Sequence, residues 1–85
     1  MLATGLEITG ETASSLCFGL AGRVRSLFSE HVDYANKAEA AADTREGLSA
    51  RSEAANNFEL LEENAGKYRD SGCGDVSYDV EEADF

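Results

Sequence analysis

Apolar positions recur at alternating spacings of four and three through the first half of this chain: Leu20, Val24, Leu27, His31, Tyr34, Ala38 and Ala41. That period puts them on one face of a helix. The chain has no proline, and no glycine falls between Gly22 and Gly47, so this stretch lacks the strongest helix breakers. The pattern predicts a first helix from about residue 12 to about residue 42. Thr12 can cap it by accepting from free amides of the first turn, and Glu11 suits the positive end of the helix dipole. Ser29 is a candidate break, which would divide the two helices into three. Gly19 and Gly22 each cost about 1 kcal/mol relative to alanine inside a helix, and their spacing suggests close approach by another helix.

A junction is expected at Asp43-Thr44-Arg45-Glu46-Gly47, where Asp43 stands three residues before Glu46 in a capping-box spacing. The second apolar row is Leu48, Ala55, Phe58, Leu61, Ala65 and Tyr68, with Glu53, Glu59, Glu62 and Glu63 turned mostly to solvent. This helix should stop near Tyr68 or Arg69, because Gly72 and Gly74 can take the left-handed conformation that ends a helix. The fold class expected is mainly α: an antiparallel hairpin of two long helices.

The ends have a different period. Leu6 and Ile8 alternate with Glu7 and Thr9, and Val76, Tyr78 and Val80 alternate with Ser77, Asp79 and Glu81, as in half-buried strands. Paired, they would give a strand, helix, helix, strand order with the termini together. The competing reading is a flexible, solvated acidic segment over residues 70–85.

Length bounds the domain count at one, spanning residues 1–85, with a thin core. Much of the 42% apolar fraction is alanine, so a second copy of the chain is one way to bury what remains. Charge alters the picture more. The 17 acidic residues against 7 Lys and Arg give a formal net charge of −10 and a pI near 4.3. Asp70, Asp75, Asp79, Glu81, Glu82 and Asp84 fall in a stretch with no compensating Lys or Arg. Such a chain is repelled by nucleic acid and anionic membrane and attracted to basic surfaces.

The most apolar run, Leu16 to Gly22, is far shorter than the roughly 20 residues that cross a bilayer. The first basic residue is Arg23, unlike the basic start of a secretory leader. The expected location is therefore the cytoplasm, where Cys17 and Cys73 would both be free thiols.

Candidate chemistry is sparse. His31 is the only histidine and lies on the apolar row, so packing is expected of it before acid–base work. Cys73 lies between glycines with no basic neighbour to stabilise a thiolate. Cys17, His31 and Cys73 lack the close pairing of zinc ligands, and Asp75, Asp79 and Glu82 lack calcium-loop spacing. The glycines are scattered, with no Gly-Lys-Ser/Thr for a phosphate loop. Neither metal, cofactor nor enzymatic activity is expected.

What remains is the carboxylates. Successive acids four apart on a helix are separated by about 6 Å, at about 1.5 Å rise per residue, a scale near that of backbone phosphates. Glu59, Glu62, Glu63, Asp75, Asp79, Glu81 and Glu82 are accordingly the expected partner-binding residues. In size, charge and lack of a catalytic motif the chain is similar to small acidic anti-CRISPR proteins and DNA mimics, a likeness that aligns no residues. The function expected is a non-enzymatic inhibitor or decoy that occupies the basic, nucleic-acid-binding surface of a partner protein. The alternative is a self-associating helical-hairpin subunit or adapter.

Overall fold

The computed structural model describes residues 2–81, which form two 26-residue helices and two strands in the order β1 (Leu2–Ile8), α1 (Ser15–Ala40), α2 (Arg45–Asp70), β2 (Val76–Glu81). The helices make an antiparallel hairpin, and the terminal strands pair antiparallel. The strand reading of the ends therefore holds over residues 76–81, while residues 82–85 of the expected acidic segment lie outside the described residues.

Local chemistry explains each boundary. The cap of α1 is Ser14 and not Thr12: its backbone is extended, and its hydroxyl accepts from the Cys17 amide at 3.1 Å. Ser29 does not break the helix, which continues to Ala40. A serine facing water costs a helix only a fraction of a kcal/mol. At the turn, the Thr44 hydroxyl donates to the Ala41 carbonyl at 2.7 Å and accepts from the Gly47 amide at 3.0 Å. One side chain thus closes the end of α1 and opens α2, so Thr44 and not Asp43 is the capping residue. Gly47 is required here by space, because a Cβ on it would stand 1.8 Å from the Ala41 carbonyl oxygen. Helix α2 ends at Asp70, with Gly72 following in the left-handed region at φ +74°.

The buried stripe of α1 is Cys17, Ala21, Val24, Leu27, His31, Ala35 and Ala38. Leu20 and Tyr34, expected at its centre, lie half-buried at its margin. The stripe is displaced because two layers share it: α2 packs along one flank and β1 along the other. On α2 the buried positions include Phe58, Leu61, Ala65 and Tyr68 as expected, together with Gly47, Ala50, Ala54, Asn57 and Asn64. Leu48 is instead 60% exposed, and Ala55 faces water. No atom lies within 4 Å of a Cβ built on Gly19 or Gly22, so no helix approaches there.

The ribbon lies lengthwise on the hairpin. Its lower end is held where the Tyr68 hydroxyl donates to the Thr9 carbonyl at 2.5 Å, and its upper end where the Ala3 amide donates to His31 Nε2 at 3.1 Å. Register runs from Leu2 opposite Glu81 to Ile8 opposite Val76, with a bulge between Thr4 and Glu7. The bulge lets Ala3, Leu6 and Ile8 all turn toward the helices despite their uneven spacing. Phe58 joins the layers, 5.4 Å from the His31 ring and in edge contact with Tyr78 at 6.1 Å.

Contrary to the free-thiol expectation, Cys17 and Cys73 are bridged, with their Cα atoms 5.5 Å apart. The hairpin carries the start of α1 back beside the loop that follows α2, a proximity invisible at a sequence separation of 56.

Candidate partner-binding surface

Pairing of the strands sorts their side chains. Ala3, Ile8, Val76 and Tyr78 face the helices. Thr4 pairs with Asp79, Glu7 with Ser77 and Leu2 with Glu81 on the outer face. Glu7, Asp79 and Glu81 are exposed there, so two strands from opposite ends of the chain build one acidic surface. Glu7 was not among the expected residues. Its alternation with Leu6 and Ile8 was visible, but its company was not, because only pairing brings it near Asp79.

The α2 carboxylates divide. Glu59, Glu62 and Glu63 are all exposed. Burial, and after it the charge of Glu62, raises the Tyr78 phenol above its usual range. Glu63 makes an exposed ion pair with Lys67 one turn on, at 3.6 Å, of a kind worth a few tenths of a kcal/mol.

Asp75 has a structural role. Its Oδ1 accepts from Arg69 Nε at 2.9 Å and from the Val76 amide at 2.8 Å. The Arg69 hydrogen bond, and then that of Val76, hold its carboxyl below the usual carboxylate range. Because the folded value is depressed, the stabilisation is full above about pH 4, the unfolded value. It is lost as pH falls through the folded value. Urea midpoints measured above and below pH 4 should therefore fall less in Asp75→Asn than in the parent, and equal losses would deny the pair this role.

Among the described residues, Glu59, Glu62, Asp79 and Glu81 make no ion pair with Lys or Arg. Glu82, the seventh expected residue, lies outside the described residues.

His31 is fully buried, and both ring nitrogens are engaged. Nδ1 donates to the Ala54 carbonyl at 2.8 Å and Nε2 accepts from Ala3. The ring is thus committed to holding β1, α1 and α2 together. Between the helices Arg23 donates to Asn64 Oδ1 at 3.0 Å and Asn57 to Glu30 at 3.2 Å, so the buried amides are satisfied. Among the described residues no three of His, Cys, Asp and Glu converge to hold a metal, and no helix is long and apolar enough to cross a membrane. An open groove of about 350 Å³ near the hairpin turn is lined by Tyr34, Lys37, Glu46, Ser49, Ala50 and Glu53. Within it Lys37 Nζ stands 5.6 Å from the centre of the Tyr34 ring.

No protein-family model, curated protein or solved structure matches this chain.

Proposed function

We propose that this chain is a non-enzymatic binding protein whose carboxylates dock on a basic surface of a partner protein. The observation that carries the reading is the convergence of Glu7, Asp79 and Glu81 on the outer sheet face of a chain of net charge −10. Acids drawn from two paired strands on a rigid support give a directed field, which speeds encounter with a cationic partner.

The particular version is an inhibitor or decoy that fills a nucleic-acid-binding surface. Its relation to compartment is altered by the Cys17–Cys73 bridge, since disulfides persist in oxidising compartments. We therefore place the working protein in such a compartment and not in the reducing cytoplasm. That placement weighs against an anti-CRISPR role inside a cell. Self-association has less support, because the apolar stripe that motivated it is covered by α2 and β1, leaving Val24, His31 and Ala38 at 1% exposure or less.

The test begins with a pull-down from the native host under non-reducing conditions, followed by titration of the captured protein. Replacing Glu59 and Glu62 by Gln, Asp79 by Asn and Glu81 by Gln removes four charges and keeps shape. Affinity should fall roughly tenfold or more, and high salt should abolish most of the remaining difference. If the partner binds DNA, a duplex should compete. Affinity indifferent to both salt and the four substitutions would refute the charge-based function.

A further inference from the structure

We propose that the outer edge of β2 receives an extended, basic segment of the partner as a third strand. The inference rests on the proposed acidic docking function and specifies how the main chain takes part in it.

The two edges of the ribbon are treated differently. On β1 the outward amide of Ala3 is taken by His31 Nε2. On β2 the direction of each main-chain group follows from one bond: the Thr9 amide donates to the Asp75 carbonyl at 2.9 Å. Asp75, Ser77, Asp79 and Glu81 therefore turn toward β1, while Val76, Tyr78 and Val80 turn outward. Val76 is sealed by side chains, its amide by Asp75 Oδ1 and its carbonyl by the Arg69 guanidinium. Tyr78 and Val80 have no such partner among the described residues. They leave a short run of unpaired donors and acceptors beside a Val80 side chain that is 45% exposed. Unpaired strand edges of this kind template the addition of another strand.

Charge selects the occupant. Asp79 and Glu81 project from the outer face at this edge. An incoming strand with Lys or Arg at alternate positions sets its cations beside Asp79 and Glu81 as cross-strand pairs. A second copy of this chain, pairing β2 with β2, would bring Asp79 and Glu81 against their own equivalents, which is unfavourable. An added strand also converts a two-stranded ribbon, marginal by itself, into a three-stranded sheet.

The experiment titrates the full, oxidised protein with two synthetic peptides of alternating lysine and valine, one of them N-methylated at every residue. Methylation removes the donors and keeps the charge. The unmethylated peptide should bind, slow amide exchange at Tyr78 and Val80, and exceed its methylated twin in affinity by roughly tenfold. Val80→Pro removes only an outward amide, a change tolerated on an edge strand, and should reproduce that loss with β1 pairing intact. Equal affinity of the two peptides, or binding without protection of Tyr78 and Val80, overturns the edge while leaving charge-driven docking standing. Failure of both peptides to bind at low ionic strength overturns the docking function itself.

Discussion

Replacing Cys17 and Cys73 together by alanine should lower the stability of this protein by roughly 4 kcal/mol. The figure follows from the loop that the bridge closes: 56 residues of separation remove about that much chain entropy from the unfolded state. Domains of this class have about 5 to 15 kcal/mol in total, so the loss takes a large share. It falls on a core that can compensate little, because apart from Val24, Leu27, Phe58, Leu61, Tyr68 and Val76 the buried apolar residues are alanine and cysteine. The staple also acts locally, since Cys73 lies three residues before β2 and Cys17 in the first turn of α1. Without it the ribbon is held by core packing and by its bonds to His31, Tyr68 and Arg69. Urea unfolding with and without a dithiol reductant measures the effect, and thiol titration of the unfolded, unreduced protein should find no free group. Two free thiols, or a midpoint indifferent to reductant, would remove the bridge from the folded state.

His31→Leu should cost about 2 kcal/mol, although leucine suits a buried position well. The side chains are similar in volume, so the packing change is modest. The larger loss is polar: the buried Ala3 amide would have no acceptor, at about 1–3 kcal/mol. Since Nδ1 donates to the Ala54 carbonyl, the ring must carry its proton on Nδ1 to accept at Nε2. The substitution should therefore fray β1 before it unfolds the helices. Amide exchange should show Ala3 losing protection first, with α1 and α2 still protected. Unchanged protection at Ala3, together with unchanged stability, would show that the histidine contributes packing only.

Much of this architecture is legible in the chain. The 3.6-residue period, the absence of proline, the polar junction before Gly47 and the glycine after α2 determine a helical hairpin. The period-two alternation at each end offers two strands, and their pairing on the helices decides for them against a solvated acidic segment over residues 76–81. Charge and the shortage of reactive side chains are what the sequence contributes to the proposal of a binding role. These are local properties, and local periodicity, capping and turn preference act within a few residues.

Other features depend on groups far apart in sequence. Leu48 falls on a helical row yet faces water, while Asn57 and Asn64 lie buried because Glu30 and Arg23 on the facing helix satisfy them. Glu7 joins Asp79 and Glu81 only once β1 has paired with β2. Cys17 meets Cys73 only because two helices of equal length return the chain to its starting point. Sequence by itself determined the two helices, their order and the acidity, since each follows from neighbouring residues. Tertiary structure alone decided the bridge, the centring of the buried stripes, the role of His31 and which carboxylates share a face. Those depend on distances that exist only after the hairpin has closed.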